Sequence, residues 1–391
     1  MTVEAFAVLP LAVWVYLLLG RGWFWRGGER DDTAARGGEE PTAWPQVVAV
    51  IPARDEADMI ARSVGSLLRQ DYPGRFSVVV VDDQSSDGTA SAASAAAIAA
   101  GAAERLRVVS GSEPPSGWTG KLWAMRQGFA AVEAGAEPPD FLLFSDADIS
   151  YAPHVLRRVV AIARSRDSVL TSLMVKLRCE SPAERWLVPA FVFFFQMLYP
   201  FAWVNDPRRD VAAAAGGCML VRREALGRAG GLEALRSALI DDCALGALMK
   251  GQGPIWLGLT DDALSLRAYP RFADFGRMVT RSAFAELRYS PLWLFSAVVG
   301  MGLVYLAPPF FALVAHGFAR WAGVLAWAMM AVSLAPTLRL YGRPLIGGLA
   351  LPAVAAAYVV FTLQSAVQYW RGRGGYWKGR FQAPMGEAGG A

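Results

Sequence analysis

The sequence predicts an α/β fold, a doubly wound and mostly parallel sheet, with apolar membrane segments before and after it. Three observations predict this. Between residues 46 and 145, short β-branched runs alternate with helix-forming stretches, the pattern of βαβ units. Two of the runs end in aspartate clusters, Asp82-Asp83 and Asp146-Ala147-Asp148, at the carboxyl ends of strands, where such sheets bind ligands. Hydrophobic residues make up 54% of the 391 and charged residues 18%. A soluble domain carries about 25% charge, so part of the chain is expected in lipid.

Val47 to Ile51 is a buried strand ending at Pro52, and residues 55–70 form a helix opened by Asp55. Ser77 to Val81 is a second strand, broken by the turn-forming residues Asp82 to Gly88. Residues 89–103 read as an Ala-rich helix, Leu106 to Val109 as a strand, 120–134 as a helix and Phe141 to Phe144 as a strand.

Residues 1–25 read as an uncleaved transmembrane anchor. Its apolar run is followed by Arg21, Arg26 and Arg30, which puts the following domain in the cytoplasm. Residues 26–45 read as a linker, 46–290 as the catalytic domain, 291–370 as transmembrane helices and 371–391 as a basic tail. Segments of about 292–315, 320–338 and 345–369 are each long enough to cross a bilayer core of roughly 30 Å. Three crossings would leave Arg371, Arg373, Lys378 and Arg380 outside, against the positive-inside tendency. A cytoplasmic tail is therefore expected, with one of the three segments not crossing. The aromatic stretch 186–204 is expected to be interfacial or re-entrant, because a crossing there would separate Asp148 from Asp241.

Composition also narrows the chemistry. Net charge is +4 and the arginines cluster beside apolar segments, which suits a membrane surface and argues against nucleic acid. Cys179, Cys218 and Cys243 form no CxxC pair, and His154 and His316 are the only histidines. Histidine triads and histidine metal cages are thereby excluded, and the chemistry falls to carboxylates.

Asp82-Asp83 is either a turn or a carboxylate pair accepting hydrogen bonds from a nucleobase or ribose. Asp146 and Asp148, one residue apart on extended chain, suit a shared Mg²⁺ or Mn²⁺. Asp241-Asp242 either complements a helix dipole or supplies a general base. Lys121 and Arg281 are surface charges or diphosphate partners, and Gly216-Gly217 is a turn or a point of close backbone approach.

Taken in order, these motifs resemble those of the family 2 glycosyltransferases, which have a GT-A fold. Ile51-Pro52-Ala53-Arg54-Asp55-Glu56 looks like that family's opening nucleotide-contact motif, which implies donor contacts for Pro52, Ala53 and Glu56. Val81 to Thr89 is similar to its uridine-binding strand end, with Asp82 and Asp83, and Lys121 falls at a donor-contacting lysine. Asp146 and Asp148 match the metal motif, Asp146 also facing the donor; Asp242 matches the base, with Asp241 in the neighbouring Glu position.

Ser116 to Lys121, Leu173 to Ser181 and Trp377 to Arg380 resemble, more narrowly, the hopene-associated glycosyltransferases, a group related to ceramide glucosyltransferase. Where processive relatives carry an Arg-Trp pair, Met278 to Ser282 retains only Arg281, which argues against a polysaccharide synthase. The resemblance implies inverting transfer of a sugar from a nucleoside-diphosphate donor, UDP first, to a membrane lipid. The setting it implies is a bacterial inner membrane, and a link to hopanoid metabolism. A polysaccharide or polyprenyl-phosphate sugar transferase, and a non-catalytic sugar-nucleotide-binding membrane protein, are the other readings.

Overall fold

A computed structural model describes residues 3–35, 43–378 and 380–381. The chain divides into two compact units. One comprises Glu29–Arg178, Trp203–Arg267 and Tyr376–Ala391; the other comprises Met1–Gly28, Cys179–Ala202 and Ala268–Gly375.

The first unit is the α/β unit. Its strands are β1 (Val47–Ala53), β2 (Phe76–Asp82), β3 (Leu106–Ser110), β4 (Phe141–Ser145), β5 (Ile149–Tyr151), β6 (Leu170–Lys176), β7 (Cys218–Arg222) and β8 (Ile255–Ser265). They form one sheet in the order β3-β2-β1-β4-β7-β6-β8-β5. The β3-β2-β1-β4 half is parallel throughout, as expected. Beyond β4 the sheet is mixed: β7 runs antiparallel to both β4 and β6, β8 parallel to β6, and β5 antiparallel to β8.

Every residue of β1 is buried, as expected of a parallel strand covered on both faces. The strand runs through Pro52, which its missing N–H would forbid in a fully paired strand. Pairing with β4 stops at Val50↔Phe144 while pairing with β2 continues to Ala53↔Asp82, so Pro52 has a neighbour on one side only. The helix Gly120–Glu133 lies close on the sheet because of Gly128. A Cβ there would stand 2.5 Å from Val50 Cγ1 and 2.9 Å from Val81 Cγ2. This close packing brings the helix N-terminus, with Lys121, to the carboxyl ends of the strands.

Two expectations need correction. The helix foreseen over 55–70 is Ile60–Leu68. Residues 54–59 form a loop in which Asp55 takes a left-handed φ of 48° and Ser86 N–H donates to the Asp55 carboxylate. The stretch expected as a linker contains the short helix Asp31–Ala34, whose Asp31 is 1% exposed. Asp31 is bound there by Arg158 Nη1 at 2.8 Å and Thr260 Oγ1 at 2.9 Å. A buried carboxylate keeps its charge only with such partners, so this segment is packed structure.

The second unit is helical. Among the described residues, four helical stretches are long and apolar enough to cross a membrane by length and composition: Pro182–Val204, Pro291–Val314, Gly317–Leu340 and Leu345–Trp370. The first begins earlier than residue 186 because of a capping box. Ser181 Oγ accepts Glu184 N–H at 3.1 Å, and the Glu184 carboxylate accepts Ser181 N–H at 2.8 Å. The helix expected as an N-terminal anchor, Val3–Leu19, has 17 residues. At 1.5 Å per residue its described residues cover about 25 Å, at the lower end of the lengths that cross a bilayer.

Candidate active site

The carboxyl ends of β1, β2 and β4 carry two side-chain clusters of the α/β unit. The loops after β1 and β2 form the first and are laced together. Asp83 N–H donates to Ala53 O at 2.8 Å, Asp55 N–H to Ser85 Oγ at 3.0 Å, and Glu56 N–H to Thr89 Oγ1 at 2.9 Å. Asp82 serves the turn, its carboxylate accepting Ser85 N–H at 3.1 Å. Asp83 is 0% exposed, with Arg54 Nη1 at 3.6 Å from its Oδ2. Pro52 and Ala53 act through the backbone, as the end of β1 from which this loop leaves.

Glu56 is 6% exposed, and its Oε1 collects Arg267 Nη2 at 2.6 Å and Lys378 Nζ at 3.0 Å. Its Oε2 is buried without a hydrogen-bond partner among the described residues. Burial raises the Glu56 pKa above the usual carboxylate range, and the Arg267 and Lys378 charges oppose that rise. Arg267 also donates through Nε to Asp148 Oδ2 at 2.9 Å, linking the loop after β1 to the Asp146-Ala147-Asp148 turn.

The second cluster gathers around Lys121 at the helix N-terminus. Lys121 Nζ lies 2.9 Å from Asp146 Oδ1 and 2.9 Å from Asp241 Oδ2. Desolvation alone would lower its pKa; the two carboxylates hold it above the ordinary lysine range. Asp242, beside Asp241 in the first turn of the helix Asp241–Lys250, is held by two backbone donors. Gly216 N–H reaches Oδ2 at 2.9 Å and Cys243 N–H reaches Oδ1 at 2.8 Å. A Cβ at Gly216 would stand 3.4 Å from both Asp242 Oδ2 and Lys121 Nζ. Gly216 thus brings its backbone against the acidic pair, the close approach foreseen as one reading of the Gly-Gly step.

Charge is unbalanced here. Asp146, Asp148, Asp241 and Asp242 face Lys121 and Arg267. Burial raises the Asp146 pKa; Lys121 opposes this, and Asp148 and Asp241 add to it. Asp242 keeps part of its surface accessible, yet the surrounding protein strips its water. Burial and the neighbouring Asp241 push it up to about 6, against Lys121 and the two backbone N–H groups. A carboxylate in that range is suited to general-base work near neutral pH.

The same imbalance tests the expected metal. Among the described residues no three His, Cys, Asp or Glu side chains converge to hold an ion by themselves. A hard divalent cation needs only one or two carboxylates when a diphosphate supplies further oxygens. Asp146 and Asp148, with excess negative charge around them and one oxygen each outside their ion pairs with Lys121 and Arg267, fit that requirement.

Ten of the eleven residues expected from the sequence, all but Arg281, lie in the α/β unit. Arg281 belongs to the helical unit, as the C-cap of the helix Phe272–Thr280. Sequence reasoning missed Arg267 and Lys378. Arg267 follows β8 without any motif around it. Lys378 was visible as one charge of a basic tail and as part of the Trp377 to Arg380 string, with no site role attached to it.

The geometry is accompanied by likeness to known proteins. A model of a family described as glycosyltransferase like family 2 matches residues 45–255. An N-acetylglucosaminyltransferase of Mesorhizobium japonicum is 26% identical over 198 residues, 48% of this chain and 42% of that protein. A beta-monoglucosyldiacylglycerol synthase of Synechocystis is 26% identical over 176 residues, 39% of this chain and 35% of that protein. The chain therefore spans less than half the length of these relatives. The solved mannosyltransferase PcManGT from Pyrobaculum calidifontis, in complex with GDP-Man and Mn²⁺, superposes with a TM-score of 0.56 at 19% identity. That match covers 94% of this chain and 98% of the mannosyltransferase, and shows a shared fold. Because the family model covers more than half of the chain, the protein belongs to glycosyltransferase family 2.

Proposed function

We propose that the protein transfers a sugar, with inversion at the anomeric carbon, from a nucleoside-diphosphate donor to a hydroxyl of a membrane lipid. The observation that carries the proposal is the convergence of Asp146, Asp241 and Asp242 on Lys121 at the carboxyl ends of the strands. Asp242, oriented by the Gly216 and Cys243 N–H groups, takes the acceptor proton as the hydroxyl attacks. Lys121, at a helix N-terminus, binds diphosphate oxygens that compete with Asp146 and Asp241 for its ammonium group. Asp83 and the unpartnered Glu56 Oε2 accept hydrogen bonds from the base or ribose. Asp148 and Asp146 would hold Mg²⁺ or Mn²⁺, which when bound supplies Lewis-acid neutralisation of the departing diphosphate. Arg281 is proposed as a further phosphate partner.

UDP is the first candidate nucleotide, from the resemblance of Val81 to Thr89 to a uridine-binding strand end. The lipid acceptor is supported by the four apolar helices and by a relative named for a diacylglycerol product. The strings Ser116 to Lys121 and Trp377 to Arg380 favour a hopanoid-related lipid. The α/β unit is proposed to be cytoplasmic.

A panel of nucleotide sugars incubated with the protein and membrane lipid extracts tests this, read by mass spectrometry of the lipids. One donor is expected to add a single hexose-type mass to a lipid class. If every donor stays intact with every extract, the enzymatic reading fails.

A further inference from the structure

The C-terminal hairpin meets the donor loop at three successive residues. Its strands β9 (Tyr376–Trp377) and β10 (Arg380–Phe381) pair antiparallel, with Lys378 in the turn between them. Lys378 Nζ donates to Asp55 O at 2.8 Å and pairs with Glu56 Oε1 at 3.0 Å. In return, Arg54 Nε donates to Lys378 O at 3.0 Å. These residues lie more than 300 positions apart in sequence, so the contact is a tertiary choice of the fold.

Lys378 also has a chemical role that Arg267 does not cover alone. Arg267 divides its guanidinium between Glu56 and Asp148. Anything drawing Arg267 toward Asp148 leaves Lys378 as the partner that keeps Glu56 charged and oriented. Glu56 Oε1 is then anchored by the ammonium group, which leaves Oε2, buried and unpartnered, as the acceptor presented to a ligand.

We propose that Lys378 is a positioning residue of the donor site, fixing Glu56 for recognition of the nucleoside, and that the C-terminal hairpin is a working part of that site. This rests on reading the Glu56 pocket as the donor site. It also requires residues 376–381 to lie on the same side of the membrane as the α/β unit. The chain between Arg267 and Tyr376 then crosses an even number of times, and at least one of its three apolar helices does not complete a crossing.

The test uses the full chain in detergent with UDP and GDP, each with Mn²⁺, by titration calorimetry. A charge-assisted hydrogen bond contributes enough that Lys378→Met should weaken the nucleotide bound by wild type about tenfold. Lys378→Arg should recover most of that loss, since it keeps the charge. The melting temperature should fall modestly in Lys378→Met, where the buried Glu56 loses a partner, and recover in Lys378→Arg, and in turnover the donor KM should rise while kcat holds. Wild-type affinity in Lys378→Met overturns the inference and leaves the enzymatic reading standing; a wild type that binds neither nucleotide removes the donor site and the inference together. A second arm replaces the three native cysteines by alanine and introduces Cys at Arg373 or at Glu224 of the α/β unit. Both sites should react alike with an impermeant maleimide on intact cells; opposite labelling overturns the inference.

Discussion

Asp242→Asn lowers turnover at least 100-fold, to the order of magnitude general-base loss brings, and leaves nucleotide affinity nearly unchanged. The substitution is close to isosteric, and its amide oxygen can still accept one of the two N–H groups that hold Asp242. What disappears is the proton acceptor. The pH dependence of the wild type supplies a second readout. The base works as carboxylate, and burial together with Asp241 pushes its pKa up to about 6. kcat/KM should therefore be level above that pH and fall about tenfold per unit below it, as protonation removes the base. The variant's residual activity should lack this acid limb. A variant retaining more than about a tenth of wild-type turnover would exclude Asp242 from the role.

Removal of divalent cations has a comparable effect. Excess EDTA should lower activity at least about 100-fold, since Lewis-acid stabilisation of a leaving diphosphate contributes several kcal/mol. Mn²⁺ or Mg²⁺ should restore it. The reason lies in the charge count at the strand ends, where Asp146, Asp148, Asp241 and Asp242 outnumber Lys121 and Arg267. An incoming diphosphate adds further negative charge to that cluster. Asp148→Asn should raise the metal concentration needed for half-maximal activity, while freeing Arg267 from one of its two carboxylates. Full turnover in excess chelator would take the metal out of the mechanism.

The parallel half of the sheet was legible because its strands are simple. β1 and β2 are almost unbroken β-branched runs, each followed within a residue or two by turn-forming polar residues. The mixed half was not. β6 carries Thr171 and Ser172 at its centre, both 0% exposed, which in sequence reads as polar interruption. Their hydroxyls are satisfied by Ser168 and by the Ala215 backbone, contacts that only the fold reveals. The carboxylates of the site were legible because they stand at strand ends. Their counter-charges were not: Lys378 reaches Glu56 across more than 300 residues, and Arg267 sits in no motif. The late start of the helix, at Ile60 instead of Asp55, has a similar cause. Asp55 holds a left-handed turn through bonds to Ser85 and Ser86, distant partners that no local propensity records.

The anomeric configuration of the product tests the central claim most directly, since a single Asp242-assisted displacement leaves no route to retention. Proton NMR of the glycolipid made from an α-linked nucleotide sugar is expected to show the β-glycoside. An α-linked product would mean a covalent intermediate or front-face attack, and would contradict the assignment of Asp242 as the base.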